Sequence, residues 1–269
     1  MSIDRSNTIL QYDQSFVVNG YQLSGVDSVQ VSYSVPLENS LTLGSSFGYN
    51  LNNPMQAEIS LQRSCLYQDQ DILLKFTGDS SFSGSFKYNG LTYGFTSGFL
   101  NRYSISCGVG DIPQISASIN VYGELKPSLE VLPSQTHPSI YIPSPRSISV
   151  SGDNSINNRI KSFSYELTIN RQAVYSLDSY SHVDEVVFLP PINISASLDF
   201  DAVNFTPEDY KYFISSAEKK NFKVIINDRN SNTEILNLDI PNIQLSSQQL
   251  NSSADNKLSI TNSYIGYLQ

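Results

Sequence analysis

Five residues near the middle of the chain, Cys107-Gly108-Val109-Gly110-Asp111, place a thiol, two glycines and a carboxylate in one short stretch. A glycine-rich stretch cradles a phosphate when it joins a strand to a helix and carries a Lys or a third Gly. Here Asp111-Ile112-Pro113 leads instead into alternating polar and apolar residues, and the carboxylate would repel an anion. A turn between two strands is therefore expected. Cys107 as a nucleophile needs a base in reach. The two histidines are His137, in a proline-rich stretch, and His182, in a polar loop. Asp69-Gln70-Asp71 and Asp199-Phe200-Asp201 set carboxylates two apart, as metal or glycosidic sites do, but neither belongs to a fuller metal pattern. No catalytic residue, metal ligand or cofactor is expected, and the chain reads as a non-enzyme.

What the residues do at higher density is alternate. The chain has 269 residues with 39% hydrophobic and 15% charged side chains, a globular composition rich in Tyr and Phe and without Trp. Aromatic and β-branched residues suit a half-buried pleated surface, and the many Ser and Asn suit its turns and wet face. Net charge is −9, spread evenly over the two halves. Tight phosphate binding needs clustered Lys and Arg, so a nucleic-acid clamp is not expected. The opening Met1-Ser2-Ile3-Asp4-Arg5 runs into polar sequence, so a secretion signal is not expected. Cys65 and Cys107 are expected to be core thiols in a reducing cytoplasm, not a disulfide framework.

An internal repeat organises the strands. Val31, Tyr33, Val35 and Leu37 lie beside Phe163, Tyr165, Leu167 and Ile169, and Pro54 to Leu61 beside Pro191 to Leu198. Leu23-Ser24-Gly25 answers Val150-Ser151-Gly152, and the run from Arg102 to Gly123 has an echo from Asn242 to Gly266. Four matches in one order predict two copies of a β unit, over residues 1–125 and 148–269. Between them, residues 126–147 hold five of the twelve prolines and are expected to form an extended connector.

Period-2 alternation predicts strands near 29–37, 55–62, 102–109 and 114–122, then 160–169, 191–199, 242–248 and 257–265. Asn19-Gly20 predicts a two-residue hairpin turn. Thr206-Pro207-Glu208-Asp209 predicts a capped helix, with Tyr210, Phe213, Ile214 and Ala217 on one face; the first copy offers at most a short helical turn before Lys75. The polar positions of the strands are Ser, Thr, Asn and Gln with little Lys. Edge strands of monomers commonly carry Lys to prevent pairing, so its scarcity predicts strands that pair with neighbours.

The matched strand pairs, the Pro54 and Pro191 strand starts and the stretch from Gly98 to Glu124 together resemble the two-domain tail tube proteins of long-tailed bacteriophages. The fold this implies is mainly β, a tandem duplication of a tail-tube-like β-sandwich or half-barrel with one flanking α-helix in the second copy. The resemblance further implies a virion tail protein assembled in the host cytoplasm. Its homotrimeric, pseudo-hexameric rings would stack, with inner sheets joined edge to edge around a lumen that conducts DNA without binding it. Glu58, Glu166 and Asp199 are the expected lumen carboxylates. Leu43, Phe47 and Tyr49 in the loop 40–53, with Tyr175, Tyr180 and His182 in the loop 172–189, are the expected contacts between rings. Partners are thus other copies, other tail proteins and passing DNA, with no membrane. Related tail rings (terminator, distal tail, baseplate hub) and a carbohydrate- or receptor-binding β module are the alternatives.

Overall fold

The computed structural model describes residues 15–34, 37–41, 48–52, 56–66, 72–88, 91–123, 125–131, 141, 143–151, 160–175, 183–201, 219–231, 233–253 and 256–268. The described residues are mainly antiparallel β structure without an α-helix. The helix expected from Thr206 to Ala217 lies outside them. In the first half, where a short helical turn is expected over 63–71, residues 63–64 close a strand and 67–71 lie outside the described residues; a 3₁₀ turn follows at Ile72–Phe76.

The first half runs through β1 (Phe16–Val18), β2 (Tyr21–Leu23), β3 (Val26–Ser34), β4 (Leu37–Leu41), β5 (Gly48–Asn52), β6 (Gln56–Ser64), β7 (Phe82–Tyr88), β8 (Leu91–Gly108), β9 (Gln114–Tyr122) and β10 (Lys126–Pro127). The second continues with β11 (Pro143–Ser151), β12 (Ile160–Val174), β13 (Glu185–Asp201), β14 (Lys220–Asp228), β15 (Glu234–Ser253) and β16 (Asn256–Leu268). Asn19 and Gly20 both take positive φ, 46° and 80°, in the tight turn between β1 and β2. In β9 the alternation fixes which face is buried: Ile115, Ala117, Ile119 and Val121 are buried, while Gln114, Ser116, Ser118 and Asn120 are turned outward. Full burial of such an aliphatic side chain contributes about 1.5–3 kcal/mol.

Eight strands lie side by side in the order β3, β6, β9, β8, β12, β13, β16, β15. Two of them are long because each serves two sets of neighbours. Gly98 to Ser106 of β8 pair with β9, and Leu91 to Gly98 pair with β7, which in turn pairs with β1. Gln244 to Ser253 of β15 pair with β16, and Glu234 to Ile243 pair with β14, which pairs with β11. The order of pairings in the first half therefore recurs in the second.

Register sharpens the correspondence. One row of opposed residues crosses the first half as Val31, Ile59, Ile119, Leu100, and another crosses the second as Tyr165, Ala196, Tyr264, Leu245. Each row ends at a bulge, between Leu100 and Arg102 in β8 and between Leu245 and Ser247 in β15. An extra residue bends its strand and raises local twist, and both bulges lie near the change of neighbours. The rows match Ile59 with Ala196, as the sequence match did, but set Val31 against Tyr165 and not Phe163. The expected alignment of these strands is two residues out, a displacement that leaves the alternation unchanged.

The stretch 126–147 is not an unpaired connector at its ends. Lys126 and Pro127 pair with Gly94 and Tyr93 of β8, and Pro143 begins β11. An edge strand tolerates proline because the missing N–H removes no ladder bond there, and β11 is at the edge of the sheet.

Candidate functional site

The two halves meet where β8 pairs antiparallel with β12, from Gly108 opposite Ser162 to Arg102 opposite Thr168. On one side of this joint Tyr103, Ile105, Phe163, Tyr165 and Leu167 are buried. On the other lies a polar face made of the alternating Ser, Thr, Gln and Asn positions of β3, β6, β9, β8, β12, β13, β16 and β15, interrupted on β16 by exposed Ile265 and Tyr267, which lie opposite Ser195 and Asn193.

Register places Glu58, Glu166 and Asp199 on this face. Each carboxylate is held. Ser118 Oγ donates to Glu58 at 2.8 Å, Ser162 Oγ to Asp199 at 2.6 Å, and Arg102 Nη2 to Glu166 at 2.7 Å. Lys161 pairs with Asp201 near the end of the face. Arg102 was not among the expected site residues, although its spacing from Ser104 and Ser106 is the period-2 signal for this face. Its hydrogen bond and charge attraction to Glu166 raise the guanidinium pKa further above its ordinary value. The pair spans the joint between the halves, but it is solvent-exposed, so its stabilisation is about 0–1 kcal/mol. With its arginine neutralised, the face keeps a weakly acidic character.

The stretch Cys107 to Asp111 is the turn from β8 to β9, as expected. Asp111 N donates to Gly108 O at 3.1 Å, and Gly110 adopts φ +91°. Cys107 is buried, its thiol directed at the carbonyls of Gly108 and Asp111. Burial, with the nearby Asp111 charge second, pushes its pKa from 9.0 up to about 11. The reactive thiolate is therefore scarce at neutral pH. Alkylation of Cys107 in the folded protein is expected to remain slow at pH 8 and to accelerate only as pH approaches 11, read by mass spectrometry. The thiol is retained by the fold and ionises more readily in the unfolded chain. This contribution to stability is therefore complete below about pH 9 and is lost as pH rises toward 11. A labelling profile with its midpoint near 9 would remove the burial argument.

A depression of about 620 Å³ beside this turn is lined by Ser106, Asp111, Ser162, Ser164, Ser197 and Asp199. Among the described residues no three His, Cys, Asp or Glu side chains group as metal ligands do. Cys65 is buried as well. Asp69, Asp71, His137 and His182 lie outside the described residues.

Of the expected inter-ring residues, Leu43, Phe47, Tyr180 and His182 lie outside the described residues. Tyr49 belongs to β5, which pairs with β4 in a separate two-stranded ribbon. Tyr175 follows β12, and its hydroxyl accepts a 3.0 Å hydrogen bond from Gln56 Nε2 of the first half. The β12–β13 hairpin is thus tied back over its own chain at this point. Arg171 adds to the tie: Nη2 donates to Gly78 O at 2.6 Å, Nε to Leu100 O at 3.3 Å, and the guanidinium lies 5.3 Å from the Phe99 ring. Burial lowers the Arg171 pKa from its ordinary value.

At the two ends of the eight-strand row the apolar side of the sheet is not fully covered. Leu250 on β15 is 43% exposed and Tyr33 on β3 is 52% exposed, whereas Ile105 and Tyr165 at the inner joint are 0% and 3% exposed. Comparison with protein-family models and with curated proteins gives no match to this chain.

Proposed function

We propose that the chain is a tail tube subunit whose two halves are tandem copies of one tail-tube-like unit, and whose sheets close with those of other copies into stacked rings around a DNA-conducting bore. The observation that carries this reading is the β8–β12 joint. It adds one half to the next in the plane of the sheet and leaves the same two kinds of edge at either end, β3 and the second part of β15. A unit that joins its like in this head-to-tail manner extends until the curvature closes, and closure removes the exposed edges.

The polar face supports the bore. Its Ser, Thr, Asn and Gln residues are uncharged, Glu58 and Asp199 add repulsion toward phosphate, and Glu166 offsets the charge of Arg102. Such a wall releases no counterions from DNA and so does not retain it. Contacts to the next ring are assigned to the stretches 40–53 and 172–189, which include parts of the β4–β5 ribbon and of the β12–β13 pair.

Electron micrographs of the purified full chain test the reading. Rings with a central hole, or stacks of them, are the expected result. A protein that stays monomeric over a wide range of concentration and ionic strength would overturn it.

A further inference from the structure

The inner joint between β8 and β12 has a counterpart that one chain cannot form. The opposed rows and the two bulges match Arg102 with Ser247, Ser104 with Gln249 and Ile105 with Leu250. They likewise match Phe163 with Val29, Tyr165 with Val31 and Glu166 with Ser32. Among the described residues β3 pairs with β6, and Gln244 to Ser253 with β16. No described strand pairs with the outer side of either. Neither 26–34 nor 244–253 contains Lys or Arg, so neither edge carries the cations that discourage pairing.

The two edges differ in shape as a knob differs from a socket. Leu250 projects from β15 on the apolar side, directly opposite buried Ile260 of β16. Next to β3 the apolar side opens into a cavity of about 490 Å³ lined by Val29, Val31, Tyr33, Phe86 and Tyr93, together with Gln30 and Lys87. At the inner joint the matching place is filled, because Ile105 lies opposite Tyr165 and both are buried. Near the knob, the side-chain amide of Gln248 is buried with neither its nitrogen nor its oxygen hydrogen-bonded among the described residues.

We infer that β15 of one copy pairs antiparallel with β3 of a second copy in one register, Leu250 opposite Val31 and Gln249 opposite Ser32, with Leu250 seated in the cavity beside β3. This rests on the ring reading and specifies its seam. The register follows by carrying Ile105–Tyr165 and Ser104–Glu166 onto their matched residues. It also sets Tyr33 of the second copy opposite Gln248 and Ser34 opposite Ser247. The polar side of this seam has no counterpart of the Arg102–Glu166 pair, since the matched residues are Ser247 and Ser32. The intermolecular seam is therefore held by main-chain hydrogen bonds and the leucine, and not by charge.

The test uses the full chain carrying Ser32→Cys and Gln249→Cys, treated with a short bis-maleimide; the native Cys65 and Cys107 are buried, so the unsubstituted chain gives the background. Covalent multimers are expected from this pair and little product from Ser32→Cys with Gln244→Cys, five residues out of register. Leu250→Asp is expected to abolish ring formation while the single chain keeps its folded circular-dichroism spectrum, because the side chain is exposed in the single chain. Rings that cross-link only through the displaced pair, or that assemble normally with Leu250→Asp, would overturn this seam and leave the ring reading standing. Absence of both rings and cross-links in every variant and in the unsubstituted chain would overturn the two together.

Discussion

Phe95→Ala is expected to lower unfolding free energy by about 3–5 kcal/mol, the range for removing a fully buried aromatic ring. Phe95 is 1% exposed and meets Phe82 edge to face at 5.9 Å between centroids. Its ring occupies the space where Gly84 and Gly98 have no side chain. A Cβ added at Gly98 would lie 2.5 Å from the ring, and one at Gly84 would collide with the ring and stand 2.9 Å from Val17 O. Gly98→Ala alone is therefore expected to cost about 1–3 kcal/mol through overpacking. In the double variant the new methyl group enters space that the lost ring vacates, so the combined loss should fall short of the sum. Denaturant unfolding of the four proteins measures this. Additive losses, or a Phe95→Ala cost below about 1 kcal/mol, would mean that the ring and the glycines are not packed as a unit.

The second large effect concerns charge on the polar face. Replacing Glu58, Glu166 and Asp199 together by Lys is expected to turn a ring that ignores DNA into one that retains it. Each phosphate neutralised contributes about 0.9 to the slope of log affinity against log salt, and several chains act on one bore. DNA retention by purified rings should thus be strong at low salt and collapse as salt rises, whereas the unsubstituted ring should retain none at either. Ring formation is expected to persist, because the three carboxylates make polar contacts on the wet side, to Ser118, Arg102, Thr168 and Ser162. Equal DNA behaviour in both rings would show that these positions do not line the bore.

Much of the sheet was legible because its two faces differ sharply. The strand expected at 114–122 coincides with β9, and the core cysteines, the Asn19-Gly20 turn and the glycine turn at 108–110 follow directly from residue type and spacing. The less legible parts have physical reasons. A two-residue displacement preserves every inward and outward position, so alternation could not distinguish Val31 against Phe163 from Val31 against Tyr165. In β14 Ile225 occupies an outward position and blurs the period, although Phe222, Val224 and Ile226 are buried in turn. The first part of β8 is interrupted by Gly94 and Gly98, whose lack of side chain weakens the strand signal while serving Leu129 and Phe95. Pro143 and Pro145 argued against a strand, and only the position of β11 at the sheet margin permits one. The carboxylates of the polar face were visible residue by residue, but the Arg102–Glu166 pair depends on the two halves meeting at β8 and β12, which no local pattern encodes.

The shared position of β8 has a further consequence for how the molecule comes apart. Its amides and carbonyls are claimed from both sides, by β9 of its own half and by β12 of the other. Stripping away the second half would bare a long apolar flank on the first, with Ile105 and Tyr103 newly wetted. The two halves, although built alike, are therefore bound to melt as one cooperative body, and a fragment ending after β9 would be a sticky species instead of a miniature of the whole.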